Sequence, residues 1–278
     1  VNTTTLGEIT WSNCREEISM KFPLIVLDLD GTLLNSNKEI SNRSYNAIMD
    51  CIRLRMKFIF ATARPPRAVR SFIKEELLRL SSFIYYNGAY IECKHTGIKD
   101  HVPIESEITA EVLDYCLNCN PDLDLSLEVK DEWMSLKEYD YTTLIKVKDN
   151  PIVKPLDELK RLEASKILFS GNIDMVSFLE KFNTKLNILT TDNGKLVQLS
   201  SLRASKESAV SVLCKAMNIS LENVMVFGDD FNDIGLFNSC GWPVAMGNAI
   251  EELKLISKEI TETNDNDGVA MILERLCR

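Results

Sequence analysis

Histidine is almost missing from this chain, with His95 and His101 the only two among 278 residues. Triads and zinc sites built on imidazole therefore have little to draw on. Long apolar runs are missing too. No stretch approaches the roughly 20 residues a membrane span requires, and residues 1–20 lack the apolar centre of a signal peptide. They read as a peripheral extension, and the chain as a cytoplasmic protein. The eight cysteines are scattered. Cys51 and Cys214 sit in apolar helical patterns, where a free thiol acts as a small hydrophobe. Cys116 and Cys119 form a lone C-x-x-C without a second pair or a nearby histidine, so they read as two cysteines on one helix. Positive charge is in deficit: 32 Lys and Arg face 41 Asp and Glu, a formal net charge of -9. That balance disfavours nucleic acid and anionic membranes as partners. An acidic chain that binds an anion must reverse the sign locally, with a cation or a cluster of donors.

What is present is an ordinary globular composition, 45% hydrophobic and 26% charged, over a length that suits one large or two modest domains. From Phe22 onward strands and helices alternate. Leu24–Leu27, Phe58–Ala61, Phe83–Tyr86 and Val224–Phe227 are continuous apolar runs, as in strands buried on both faces of a parallel sheet. Tyr45, Ile48, Met49, Ile52 and Met56 fall at helical spacing, with Arg53, Arg55 and Lys57 assigned to the last turn. Pro65 and Pro66 suit the start of a helix carrying Val69, Phe72, Ile73 and Leu77 on one face. Between about 89 and 191 the segments shorten and the strands become amphipathic, as at Thr143–Val147, with helices expected near 107–118 and 174–185. The alternation then resumes, with helices over Lys206–Met217 and near 248–258 and 268–276 and a short strand at Pro243–Met246. The fold class is α/β: a Rossmann-like parallel sheet core in three α/β/α layers, interrupted by an inserted α+β cap. The extension takes 1–20, the core 21–88 and 192–278, and the cap 89–191.

In open sheets of this kind, ligands bind beyond the carboxyl ends of the strands. The first strand ends Asp28-Leu29-Asp30-Gly31-Thr32, and an extended backbone points the carboxylates of Asp28 and Asp30 to one side. The strand at 224–227 ends Gly228-Asp229-Asp230-Phe231-Asn232-Asp233. Five carboxylates are thus expected to converge. At ~4 Å and an effective dielectric of about 20, each like-charge pair costs on the order of 4 kcal/mol. Either some stay protonated or a cation neutralises them, and all-oxygen ligands suit Mg²⁺. Thr62, after the second strand, offers a hydroxyl ahead of backbone N–H groups that can hold an anion. Lys206 stands at a helix N-terminus, where the dipole opposes a cation. That placement is explained if it faces an anionic substrate. Together these groups suit in-line attack of a carboxylate on phosphorus, with a second acid protonating the leaving alcohol and then accepting a proton from water.

These residues resemble the haloacid dehalogenase superfamily, in particular its Cof-type phosphatases with a type IIB α/β cap. The resemblance runs through Asp28–Thr32, Thr62, Lys206 and Gly228–Asp233, and extends to Asn87-Gly88-Ala89, Met246–Ala249 and Thr263–Ala270. It implies a phosphoric monoester hydrolase acting on a small phosphorylated metabolite, with Asp28 as nucleophile and Asp30 as general acid/base. It also implies Mg²⁺ held by the Asp28 carboxylate, the Asp30 backbone carbonyl and Asp229. Phosphate would be bound by Thr62, Lys206, Asn232 and the backbone N–H groups of Leu29 and Ala63, with Asp233 orienting Lys206 or a metal-bound water. Cap residues such as Trp133, Tyr139, Tyr141 and Lys146 are candidates for lining a closed site. Three positions depart from the pattern: Ala63 and Glu207, where glycine is usual or frequent, and Gln198, where glutamate is frequent. A phosphomutase and a non-catalytic binder of phosphorylated metabolites are the alternatives; the second is set against by the presence of both Asp28 and Asp30.

Overall fold

The computed structural model describes residues 21–138, 140, 150–191 and 194–277. The extension over 1–20, the strand expected at 143–147 and the candidates Tyr139, Tyr141 and Lys146 lie outside the described residues. In chain order come β1 (Leu24–Asp28), a helix at Asn42–Arg53, β2 (Lys57–Ala61), short helices at Pro66–Val69 and Glu75–Leu80, β3 (Ser82–Tyr85), β4 (Tyr90–Glu92) and β5 (Lys99–His101). A helix at Ser106–Cys119, β6 (Asp124–Val129), β7 (Glu132–Ser135), β8 (Ile152–Val153), β9 (Lys166–Ser170), a helix at Met175–Phe182, β10 (Leu186–Thr191) and β11 (Leu196–Ser201) follow. The chain then returns through helix Lys206–Met217, β12 (Val224–Gly228), helix Ile234–Ser239, β13 (Trp242–Ala245), helix Glu251–Ile256, β14 (Glu259–Ile260) and helix Gly268–Leu276.

Two compact units result. The first takes in residues through Arg64, Ala68–Lys99 and those from Ser205 onward; the second takes in Pro65–Arg67 and Asp100–Ala204. Among the described residues the larger sheet runs β14-β13-β12-β1-β2-β3-β4-β5. Its pairings from β14 through β3 are parallel, and β4 turns back antiparallel on β3. Leu24–Leu27 are fully buried, as a central parallel strand requires. Helices Asn42–Arg53 and Gly268–Leu276 pack on each other, as do Lys206–Met217 and Ile234–Ser239. The smaller sheet, β10-β11-β9-β6-β7-β8, is mostly antiparallel. Leu125, Leu127, Ile167, Phe169 and Leu199 form its core with Val112, Leu113, Cys116, Phe178 and Phe182 of the two long helices. No helix among the described residues is long and apolar enough to cross a membrane.

The structure shifts several expected boundaries. The insertion expected over 89–191 starts and ends later. Tyr90–Glu92 stays in the larger sheet because it hydrogen-bonds back onto β3, while Leu196–Ser201 stays in the smaller one because it pairs with β9 and β10. The first helix ends at Arg53, so Arg55 and Lys57 are not in its last turn. Arg55 takes a left-handed φ of 66°, and Lys57 already begins β2. The helix expected across Val69–Leu77 is two short ones. The Ser71 hydroxyl donates back to the Ala68 carbonyl, and the chain restarts at Lys74, yet Val69, Ile73 and Leu77 still reach the core. Cys116 and Cys119 share one helix, both as free thiols.

Replacing Leu27, fully buried in β1, with alanine should destabilise the fold by about 2–5 kcal/mol in urea unfolding. A loss below about 1 kcal/mol would contradict the packing described.

Candidate active site

The carboxyl ends of β1 and β12 lie side by side because the strands pair in register, Leu27 opposite Phe227. Asp28 closes β1 and Asp229 follows β12. Lys206 enters from the start of its helix and is fully buried, its Nζ 2.6 Å from Asp28 Oδ1 and 2.7 Å from Asp233 Oδ1. The helix can begin there because Ser205 caps it, accepting from the Ser208 N–H at 3.2 Å. It comes close because Gly88 has no side chain: a Cβ at Gly88 would lie 2.2 Å from the Ser205 carbonyl oxygen. Asp233 is also fully buried, and its Oδ2 accepts from the N–H groups of Asp229 and Asp230 at 3.1 and 3.4 Å. Both Asp233 oxygens are therefore committed to protein donors. Asp229 accepts from the Thr32 hydroxyl at 2.8 Å. Gly31 makes room for it with φ +81°, since a Cβ there would fall 2.1 Å from Asp229 Oδ2.

The electrostatics follow from one lysine among three carboxylates. Asp28, Asp229 and Asp233 have oxygens within 4.8 Å of one another. Burial raises Asp28 well above the usual carboxylate range, Lys206 offsetting only part and Asp233 adding to the rise. Asp229 is pushed up to about 6, again chiefly by burial. Lys206 moves upward as well: desolvation alone would lower it, but Asp233 and Asp28 more than reverse that. The site therefore has a surplus of negative charge that Lys206 alone does not neutralise. The donor set around it is oxygen only, without thiol or imidazole. That chemistry fits a hard divalent cation such as Mg²⁺.

Three carboxylates converge, where five were expected. Asp230 is used as a cap, accepting from the Phe231 N–H at 2.8 Å. Asp30 turns to two cations: Arg64 donates Nε to Oδ2 at 2.5 Å and a terminal nitrogen to Oδ1 at 2.6 Å, and Lys38 reaches Oδ1 at 2.8 Å. Partial burial would raise Asp30, but the Arg64 and Lys38 contacts outweigh it and hold it below the usual range. β1 has ended by this point, and Asp30 makes an isolated bridge to Leu34, so strand alternation no longer sets its direction. Thr62 is buried and its oxygen accepts from the Arg64 N–H at 3.1 Å. Leu29 is buried in the turn after β1. Asn232 donates to the side-chain oxygen of Asn87 at 3.2 Å, joining the turn after β3 to the one after β12.

The three departures have structural accommodations. Ala63 is not among the residues with left-handed φ, so its backbone does not need glycine. Glu207 lies over Gly235, where a Cβ would be 2.3 Å from its carboxylate carbon. Gln198 lies in the second unit, where it accepts from the buried Lys166 ammonium at 3.0 Å and donates to Thr191 at 3.1 Å. Trp133 is half-buried on β7. The sequence reading missed the roles of Thr32, Arg64 and Lys38. Arg64 stands two residues after Thr62, which could have flagged it; nothing in the spacing points to Lys38.

The carboxyl edge of this α/β sheet thus carries a buried carboxylate at a strand end, braced by a lysine and faced by further carboxylates. A family model for haloacid dehalogenase-like hydrolases matches residues 25–273, and the chain belongs to that family. It is 28% identical to the phosphatase YwpJ of Bacillus subtilis over 91% of this chain and 99% of that protein. It is also 28% identical to the 5-amino-6-(5-phospho-D-ribitylamino)uracil phosphatase YcsE of the same organism, over 92% and 95%. Among solved structures, TM0651 of Thermotoga maritima superposes with a TM-score of 0.82 at 27% identity, covering 91% of this chain and 97% of that one.

Replacing Lys206 with methionine should leave two carboxylates buried without their cation. A broken buried pair of this kind costs about 3–5 kcal/mol. Burial already raises Asp28 above its unfolded value and Lys206 offsets part of that, so without the lysine the penalty is full at neutral pH and is relieved as pH falls. Thermal unfolding without metal should show a larger Tm deficit at pH 7.5 than at pH 5; an equal deficit at both would contradict the charge argument.

Proposed function

We propose that the chain is a Mg²⁺-dependent phosphatase that hydrolyses phosphate monoesters of small metabolites through an aspartyl-phosphate intermediate on Asp28. The observation that carries this reading is the buried Asp28–Lys206–Asp233 cluster beside Asp229, with one fixed positive charge for three carboxylates. The named relatives are phosphatases, and the enzyme is a phosphoric monoester hydrolase. YcsE, by its name, acts on the phosphate of a ribityl group. Sugar phosphates and cofactor or nucleotide phosphates are accordingly the substrate classes of this reading, and a cytoplasmic location belongs to it.

The Asp28 and Asp229 carboxylates and the backbone carbonyl of Asp30 would hold the cation. Asp233 would not, because both its oxygens are already bonded. Bound there, the cation would supply the positive charge that keeps Asp28 and Asp229 ionised and offsets the charge of the phosphoryl oxygens. The remaining work falls to the protein's own groups. Lys206 spends two N–H donors on Asp28 and Asp233, and its third is directed to a phosphate oxygen. Thr62 accepts through its oxygen, which leaves the hydroxyl proton for a second phosphate oxygen. Leu29 and Ala63 contribute backbone N–H groups, and Asn232 a side-chain amide. Asp28 attacks phosphorus in line, and Asp30 protonates the departing alcohol. Asp30 then takes a proton from the water that cleaves the acyl phosphate, regenerating both carboxyl groups.

With p-nitrophenyl phosphate and Mg²⁺, turnover should be abolished by EDTA and by Asp28→Asn; retention of activity near the wild-type level in Asp28→Asn would rule out the assigned nucleophile. Cation affinity should also depend on pH. A proton competes for Asp229 with a pKa of about 6, so the Mg²⁺ Kd should rise steeply as pH falls below 6. Calorimetric titration across that range reads the effect, and a pH-independent Kd would remove Asp229 from the ligand set.

A further inference from the structure

We infer that Arg64 is a positioning residue for Asp30, and that with Lys38 it leaves the second in-plane position on Asp30 Oδ2 as the seat through which the proton is exchanged. This rests on the phosphatase reading and adds to it the residue that aims the acid. A carboxylate offers about four in-plane acceptor sites, two on each oxygen. Arg64 occupies one on Oδ2 through Nε and one on Oδ1 through a terminal nitrogen, and Lys38 occupies the other on Oδ1. Among the described contacts, three of the four sites are filled, and Oδ2 carries a single bond.

The two-point contact fixes more than distance. A planar guanidinium gripping both oxygens sets the plane of the carboxylate as well as its place, whereas an ammonium holds one oxygen and lets the group pivot. Arg64 is itself braced. Its guanidinium carbon lies 5.2 Å from the centroid of the Phe72 ring, and its backbone N–H is tied to Thr62. The clamp therefore couples the aim of Asp30 to the loop that carries the phosphate-binding hydroxyl. In the first half of the reaction, Asp30, ionised between its two cations, first takes up a proton from solvent at Oδ2, and this proton passes to the leaving oxygen as its bond to phosphorus breaks. In the second half, water gives a proton back to Oδ2 as its oxygen bonds to phosphorus and releases Asp28. Arg64 and Lys38 gain and lose no proton in either half.

The test is leaving-group dependence. An alkyl phosphate needs its leaving oxygen protonated, whereas p-nitrophenolate departs readily without help, so only the first should feel a misaimed acid. In Arg64→Lys, kcat/KM for an alkyl phosphate should fall on the order of 10–100-fold more than for p-nitrophenyl phosphate. Arg64→Ala should show the same selectivity. Millimolar guanidinium should restore part of its alkyl-ester activity, because Phe72, against which the guanidinium lies, and Lys38, which shares Asp30 with it, line an open groove. An equal loss on both esters, or no loss on either, overturns the inference while leaving the phosphatase reading intact. If the alanine variant does not fold, the lysine variant decides. If the wild-type enzyme turns over neither ester, the phosphatase reading fails and the clamp's role with it.

Discussion

The buried ammonium of Lys206 is the contact on which the site depends. It joins three separate stretches of chain: the end of β1 through Asp28, the turn after β12 through Asp233, and the start of its own helix. A lysine with no exposed side chain is among the costlier groups a protein can bury, and it is tolerated only when paired on every side. Here the pairing is reciprocal. Asp233 is held by two backbone N–H groups as well as by Lys206, so the turn after β12 is shaped by the same carboxylate that fixes the lysine. Gly228 belongs to this arrangement, since a Cβ there would lie 2.6 Å from the Asp233 carboxylate.

The consequence is a division of labour among acids that look alike in the sequence. Asp233 is spent on Lys206 and the backbone, Asp230 on a cap, and Asp30 on Arg64 and Lys38. Of the three clustered carboxylates, only Asp28 and Asp229 keep an oxygen that no described donor claims, and these are the two whose burial pushes them upward. Asp30 is held in the opposite direction. The split follows from which cations each acid meets: Asp30 has Arg64 and Lys38, whereas Asp28 shares Lys206 with Asp233.

Much of this was legible from residue order. The buried parallel strands appear as uninterrupted apolar runs, and Lys206–Met217 and the strand at Val224 stand where their patterns place them. The acidic strand ends were legible because two turns rich in aspartate after two such runs are hard to assign to capping alone. What stayed hidden depends on side-chain direction or long-range pairing. Alternation could not show that β1 stops at Asp28 and that Asp30 pairs with Arg64 and Lys38. Hydrophobic periodicity could not show the break at Ser71, since Val69, Ile73 and Leu77 are buried either way. The edge of the insertion was misplaced because β4 and β11 are short strands whose sheet is decided by distant partners.

The loops around the site are held by amides as well as charges. Asn248 donates to the Gly31 carbonyl and accepts from the Asn264 N–H, while the Asn264 side chain donates to the Leu34 carbonyl. Ser36 is tied to Asp265 through both its N–H and its hydroxyl. The segment after β1 is thus fixed to the turn ahead of the final helix along its length. This matters because Gly31 must keep a positive φ beside Asp229, and a loop free to relax would not hold that close approach. Neutral amides suit the task better than further ion pairs would. The cluster already has more negative charge than Lys206 balances, and added lysines or arginines would compete with a divalent cation for its carboxylates. Among the described residues, the cations that contact the aspartates of the site are Lys206, Arg64 and Lys38, and hydrogen bonds hold the loops around them.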